Sequence, residues 1–210
     1  MEQDQTNLSP AESVLAEKPS EKPNKPWKDT LSTVLLFGGA LLTAFMLNIF
    51  VFQSYEVEGQ SMEPTLQNKD RLIIYKFNKT WAKVTRSNYM PNRGDIIVFH
   101  KPNGSSDQLI KRVIGLPGDR VVVKNDKITI YNQQSPDGFN PDDAEYGGEL
   151  QATYGNVDVV VGEDEVFVCG DNRIPGASYD SRSTLGHVST SFIVGELVLR
   201  YLPVGNVRTF

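Results

Sequence analysis

No Asp, Glu, Lys or Arg occurs between Asp29 and Glu56, and this uncharged stretch constrains the chain more than any other feature. Its centre, Leu31 to Phe52, is dominated by Leu, Val, Ile, Phe, Ala and Gly, with Asn48 among them. As a helix these 22 residues would reach about 33 Å, the thickness of a hydrocarbon layer. A buried core helix of that length rarely lacks a charge. A cleavable signal would start nearer the N-terminus, be shorter and end in small residues, whereas this run ends in Phe50-Val51-Phe52. Residues 31–52 therefore predict a retained transmembrane helix.

The flanks orient it. Lys18, Lys22, Lys25 and Lys28 precede the run, whereas residues 53–70 carry only Lys69 against Glu56, Glu58, Glu63 and Asp70. Positive-inside counting puts the N-terminus in the cytoplasm or stroma and residues 53–210 on the extracytoplasmic side, periplasmic or lumenal. Residues 1–30 are polar, contain Pro10, Pro19, Pro23 and Pro26, and show no hydrophobic period. They predict a disordered tail.

Residues 53–210 read as a mainly β domain. Arg71–Phe77, Asp95–His100, Leu109–Ile114, Arg120–Val123, Lys127–Tyr131, Val157–Val161, Glu165–Cys169 and Phe192–Tyr201 are rich in Val, Ile, Phe and Tyr. Turn residues separate them, such as Pro102-Asn103-Gly104 and Pro117-Gly118-Asp119. No long amphipathic helix is evident. Residues 132–156, with scattered Pro and Gly, predict a loop or hairpin excursion.

Composition narrows the chemistry. A net charge of -5 without a basic block argues against nucleic acid as a partner. A single cysteine, Cys169, excludes an intrachain disulfide and a multi-cysteine zinc site, and His100 and His187 offer little for a histidine-rich metal site. Hydroxyls, amines and carboxylates remain.

Three polar segments could carry chemistry. Ser61 lies in Gly59-Gln60-Ser61-Met62-Glu63-Pro64-Thr65-Leu66, a loop able to expose a hydroxyl beside a backbone N–H. Nine steps from Phe52 reach at most roughly 30 Å, so Ser61 works near the membrane surface. In Leu109-Ile110-Lys111-Arg112-Val113-Ile114, strand alternation puts Lys111 on one face with Leu109 and Val113, and Arg112 on the other. A lysine on an apolar face is either paired with a carboxylate or desolvated. Desolvation, with Met62 as a further apolar neighbour, would make it a base able to accept a serine proton. His100 and His187 are the other candidate bases, though both read as surface or turn histidines. The third segment, Gly170-Asp171-Asn172-Arg173 with Ser178-Tyr179-Asp180-Ser181-Arg182, reads either as a solvated turn or as a hydrogen-bonded polar loop.

Four motifs in order resemble type I signal peptidases, the membrane-bound serine proteases that remove signal peptides from exported proteins. They are Ser61–Leu66, Arg93–Phe99, Lys111–Asp119 and Gly170–Arg173 continued through Ser178 to Asp180-Ser181-Arg182. The resemblance covers about residues 31–202. It implies a β catalytic domain with a Ser–Lys dyad, Ser61 as nucleophile and Lys111 as general base, and neither metal nor cofactor. It implies cleavage after small residues of Ala-X-Ala type, with Tyr55, Val57, Met62, Leu66, Leu109 and Ile110 lining the substrate pockets. Val57, Leu66 and Ile110 also read as plain core. The implied partners are signal peptides of exported pre-proteins, the lipid bilayer and a nearby export translocon.

Two departures bear on the site. The family often places two residues between its Gly-Asp-Asn-Arg and the serine that supports the lysine; here Ile174-Pro175-Gly176-Ala177 makes four. Ser178 takes that role in this reading, with Ser181 as the alternative. Some members carry an oxyanion-binding serine where this chain has Gly59, so the oxyanion would rely on backbone N–H groups, including that of Ser61. Asp171, Asn172, Arg173, Asp180 and Arg182 are assigned to the architecture of the polar loop. Two other classes compete. A sortase-like transpeptidase would use Cys169 with His187 and an arginine, but Cys169 ends the apolar run Val166-Phe167-Val168 and reads as buried. A non-enzymatic anchored β-domain would have no need for both Ser61 and Lys111.

Overall fold

The computed structural model of the chain describes residues 26–102, 104–144 and 150–210. The predicted disordered tail lies outside the described residues as far as residue 25; residues 26–30 instead form the first turn of helix α1 (Pro26–Phe50). Proline suits that first helical position because its missing N–H would have no helical partner anyway. Within α1, Thr30–Phe50 reaches a mean hydropathy of 2.0 over an 18-residue window and has no buried residue, unlike a core helix of a soluble protein. By length and composition it can cross a membrane. The chain divides within α1 into two compact units, up to Leu42 and from Thr43 onward, and the second holds all the β-structure.

In chain order the further elements are β1 (Phe52–Glu56), β2 (Arg71–Tyr75), α2 (Phe77–Thr85), β3 (Ile96–His100), β4 (Gln108–Gly115), β5 (Arg120–Lys124) and β6 (Lys127–Tyr131). They continue as β7 (Val157–Val160), β8 (Glu165–Cys169), β9 (Val188–Ser189), β10 (Ile193–Leu202) and β11 (Arg208–Thr209). The larger sheet runs β1-β2-β10-β3-β4-β8-β9 with β11 on β10; the smaller runs β6-β5-β7. The pairings are antiparallel.

β3 shows why the large sheet is stable at its centre. Ile96 and Val98 join one apolar cluster with Val57, Met62, Leu66, Leu72, Ile74 and Leu197. Ile97 and Phe99 join another with Val113, Val166, Val168, Val188 and Ile193. Both faces of this strand are covered, which explains a continuous apolar run where a half-exposed strand would alternate. A third cluster, with Val121, Val123, Ile128, Ile130, Phe167 and Cys169, sits where the small sheet meets β8.

The mainly β domain with one N-terminal apolar helix agrees with the sequence reading, and the differences are local. The apolar run does not stay helical to Phe52: α1 stops at Phe50, and Phe52 opens β1, a strand hidden by its continuity with the helix. The strand expected over Arg71–Phe77 ends at Tyr75, and Phe77 begins the short helix α2. The excursion at 132–156 contains a bridge between Ile130 and Phe139 and a 3-10 turn at Pro141–Asp143; its residues 145–149 lie outside the described residues.

Candidate active site

Ser61 sits in the loop between β1 and β2. Beyond the strands the ladder continues, Val57 N–H to Asp70 O and Lys69 N–H to Val57 O at 2.8 Å each, so the loop is the tip of a hairpin. Gly59, with φ +93°, makes the bend, and its N–H donates to Asn68 Oδ1 at 2.9 Å. A glycine holds that backbone without a Cβ penalty. Met62 and Leu66 point inward, fully buried in the cluster beneath. They were expected on the pocket walls; the structure makes them the floor that holds the loop. Arg200 braces the far side, donating to Thr65 O at 2.9 Å and to Asp70 Oδ2 at 3.1 Å.

Lys111, on β4, meets this loop. Its Nζ donates to Ser61 Oγ at 2.7 Å and to Ile110 O at 2.8 Å. The residue is only 2% exposed, and among the described residues no carboxylate forms an ion pair with it. Burial pulls its pKa down to about 8, against the opposing fields of Asp180 and Asp171. Of the two fates open to a lysine on an apolar face, this one is desolvated. A serine hydroxyl beside an amine that sheds its proton near neutrality is an arrangement for nucleophilic attack. The Ser61 N–H has no hydrogen-bond partner among the described residues, which leaves it free to donate to an oxyanion.

The polar loop after β8 clamps the serine. Asn172 donates from its N–H to Ser61 O at 3.0 Å and from Nδ2 to Gln60 O at 3.1 Å. A side chain at Gly170 would collide with both Ser61 O and Ser178 Oγ, so this glycine is what lets the two serines approach. Three buried ion pairs fix the surroundings. Arg112 grips Asp171 with two bonds, at 2.8 and 2.5 Å. Arg173 holds Asp142 and Gly170 O. Arg182 holds Asp180 at 2.8 Å, while Asp180 also accepts from Gly170 N–H at 2.9 Å. Burial alone would raise the Asp180 pKa, but Arg182 and that N–H hold it below the usual value.

Ser178 and Ser181 separate clearly. The longer spacer closes on itself: Ala177 N–H donates to Ile174 O at 3.1 Å, and Gly176 has φ +77°. Pro175 and Gly176 thus take the two central positions that suit a type II turn, and the extra residues bulge out without displacing Ser178. Ser178 Oγ is buried and makes no hydrogen bond of normal geometry, while lying close enough to Asp180 to favour its charged form. Ser181 is committed elsewhere, its Oγ accepting from Val168 N–H at 2.9 Å. No hydrogen bond joins either serine to Lys111 among the described residues.

A cleft of about 170 Å³ opens beside the pair, lined by Tyr55, Val57, Ser61, Leu109, Ile110 and Lys111 with a few neighbours. Four of the six residues expected in the pockets are on its wall. Tyr55 Oη is buried there and, among the described residues, makes no hydrogen bond of normal geometry. The alternatives fare differently. Cys169 is fully buried in the third cluster, and desolvation pushes its thiol up to about 12. His187 bonds Glu165 at 3.0 Å, and His100 contacts Gln108. Sequence reasoning missed Asp142 and Arg200, and named Arg112 and Gly170 only as members of their motifs, without a role. Arg112 had a faint signal, as the charge on the opposite face of β4 from Lys111; Asp142 had none, because it arrives from the excursion.

The β-sheet scaffold thus brings a serine hydroxyl and a desolvated amine to one cleft, the two groups that a hydrolase of the serine class would need. Residues 30–202 match the model of the family described as "Signal peptidase, peptidase S26". The chain is 35% identical over 185 residues to Signal peptidase I P of Bacillus subtilis subsp. natto, covering 86% of this chain and 91% of that one. It is 34% identical over 206 residues to Signal peptidase I T of Bacillus subtilis strain 168, covering 92% and 98%. A crystal structure of a signal peptidase I from Enterococcus faecalis V583 is 30% identical, covers 53% of this chain and 100% of that chain, and has a TM-score of 0.38. The chain belongs to the signal peptidase family, peptidase S26. Its activity is that of a serine endopeptidase, and the family's reaction is the removal of signal peptides.

Proposed function

We propose that the chain cleaves signal peptides from exported pre-proteins with Ser61 as nucleophile and Lys111 as general base. One observation carries this reading: an almost fully buried lysine amine, without a carboxylate partner among the described residues, 2.7 Å from a serine hydroxyl. The neutral amine takes the Ser61 proton as Oγ attacks the scissile carbonyl. Backbone N–H groups, including that of Ser61, receive the oxyanion. The Lys111 ammonium then protonates the leaving amine, and a water deprotonated by the same lysine hydrolyses the ester. Ser178 acts as a positioning residue, since its buried and unpartnered hydroxyl can turn to the amine when the lysine changes charge. Asn172 keeps the nucleophile's loop in register.

The substrate lies extended in the cleft. Among the described residues, β1 ends the large sheet with one edge unpaired, and β4 meets β8 only from Arg112 onward, which leaves residues 108–111 open on that side. Two open strand edges suit a peptide bound by its main chain. A cleft this small, walled by Tyr55, Val57, Leu109 and Ile110, favours small side chains of Ala-X-Ala type. Thr30–Phe50 anchors the chain in the membrane with the N-terminus cytoplasmic or stromal and the catalytic domain outside, near the export translocon. The lysines before the span and the acidic residues after it support that orientation.

The test is cleavage of a radiolabelled pre-protein by the detergent-solubilised chain and by Ser61→Ala. The mature product should form with the first and be absent with the second. Persistent cleavage by Ser61→Ala would remove Ser61 as nucleophile. Protease added outside intact spheroplasts should digest the domain beyond residue 53; digestion confined to the N-terminal tail would reverse the orientation.

A further inference from the structure

We infer that α2 is an interfacial helix, which lies in the headgroup region of an anionic bilayer and forms a second membrane attachment; this rests on the reading of Thr30–Phe50 as a membrane span. α2 presents Phe77, Trp81 and Val84 at 39%, 57% and 71% exposure. Spacings of four and three residues put these side chains on one helical face. Only Ala82 of α2 is buried in the core; Phe77 leans on the Tyr75 ring at one end of the apolar face, and Trp81 and Val84 are left largely to solvent.

The face is continuous with the end of the span. Lys76 N–H donates to Val51 O at 2.7 Å and Lys76 Nζ to Ile49 O at 2.9 Å, while Thr80 Oγ1 reaches Phe50 O at 3.3 Å. α2 is therefore tied to the last turn of α1 and goes wherever that turn goes. A run of rings joins them: Phe52 to Tyr75 at 5.7 Å, Tyr75 to Phe77 at 6.3 Å, and Phe77 stacked on Trp81 at 5.8 Å. Aromatic rings concentrate at the level of the headgroups, where one end is apolar and the other wet.

Charge favours an anionic surface. Lys79 and Lys83 lie on the opposite side of α2 and Arg86 follows at its C-terminal cap, with no acidic residue in the helix. Lys79 is engaged with Thr190 O; Lys83 and Arg86 are exposed. An apolar stripe with Trp and Phe, backed by basic residues on a short helix, is the pattern of a segment lying about 5–10 Å into the headgroup boundary. The attachment would fix the height of the β1–β2 hairpin, since β2 runs directly into α2, and so the height of Ser61 above the bilayer.

The test uses the full chain carrying Trp27→Phe, which leaves Trp81 as the sole tryptophan. It is reconstituted in phosphatidylcholine vesicles with and without phosphatidylglycerol, using lipids brominated high on the acyl chain. Trp81 emission should shift to the blue and lose roughly half or more of its intensity to the brominated lipid. Adding Lys83→Glu and Arg86→Glu should reduce that quenching mainly in the phosphatidylglycerol vesicles. Trp81→Ser with Val84→Ser should slow pre-protein cleavage several-fold in vesicles and leave peptide cleavage in detergent unchanged. A chain that resists carbonate extraction while Trp81 stays red-shifted and unquenched overturns the proposal and leaves the anchor standing. A chain that carbonate extracts removes the anchor reading and this proposal with it.

Discussion

Lys111 and Arg112 are neighbours on β4, both buried and both cationic types, yet their surroundings differ in kind. Arg112 has Asp171 locked to it by two short bonds and a third bond to Gly94 O. Lys111 has a hydroxyl and a carbonyl but, among the described residues, no carboxylate in contact. A buried charge with a fitted counter-ion is architecture, because removing either partner strands the other. A buried amine without one is a reservoir of altered acidity. Strand alternation sends the first towards the polar loop and the second towards Ser61, so two adjacent residues serve opposite purposes.

The sharpest way to break this contrast is to make the two residues alike. Lys111→Arg places a group that keeps its proton where the proposed base must lose one. Cleavage of a pre-protein should fall by roughly 10⁴-fold or more, as for loss of a nucleophile or its base elsewhere. Residual turnover near the wild-type rate would mean that another group takes the Ser61 proton.

The converse change acts on folding. Arg112→Ala or Asp171→Ala should cost about 3–5 kcal/mol of stability, the usual range for orphaning one member of a buried pair. Urea unfolding of the detergent-solubilised chain would read it. The double change to Arg112→Met with Asp171→Leu should recover much of that loss. Equal damage in the single and double variants would show that the pair acts by more than mutual compensation.

How far this contrast was visible beforehand depended on the range of the contact. Ser61 and Lys111 stood out because each lies in a compact motif, and alternation along one strand is enough to put Lys111 among apolar residues. The span and most strands were legible because their periods are local. β1 was not, because Phe52 carries the helix's apolar run into the strand without punctuation. α2 was not, because nine residues are too short a run to set a helical period apart from the strand before it, and its apolar face does not enter the core. The partners of the polar loop and of the Ser61 loop were illegible for a different reason. Asp142 reaches Arg173 from the excursion and Arg200 reaches Thr65 from β10, and such pairings depend on topology that no single segment encodes.

Within the polar loop, a smaller effect separates two serines. Ser178→Ala should lower turnover by roughly 10²-fold, the low end for a group that assists acid–base chemistry. The defect should be in kcat and should move the pH dependence, as a positioning role requires. Ser181→Ala loses its bond to Val168 N–H and should lower stability by about 1 kcal/mol with little change in turnover. A larger kinetic defect in Ser181→Ala would reverse the assignment.

The smallest expected effect has the least intuitive sign, because a functional residue should be a structural burden. The fall in the Lys111 pKa from 10.5 to about 8 corresponds to about 3 kcal/mol of disfavoured charge. Below pH 8 the folded chain must carry that ammonium in its desolvated setting. Between about 8 and 10.5 the folded state has released a proton that the unfolded state still binds, so stability rises with pH across this window and levels off above it. Lys111→Met has no such proton. It also gives up the bonds to Ser61 Oγ and Ile110 O, which offsets part of the gain. The variant should therefore be more stable than wild type by about 1–3 kcal/mol at neutral pH while inactive, and the two stability curves should cross as pH rises from about 8 to 10.5, leaving wild type the more stable chain by the worth of those two bonds. Activity must follow the same proton in the wild type. The free amine is the working form, so kcat/KM on a short Ala-X-Ala peptide should climb about tenfold per pH unit below 8 and flatten above it. Unfolding curves for both chains between neutral and alkaline pH, set beside that rate profile, decide the matter. A Lys111→Met chain less stable than wild type throughout the range would mean that the buried amine is held by favourable contacts, and its low pKa would need another cause than desolvation.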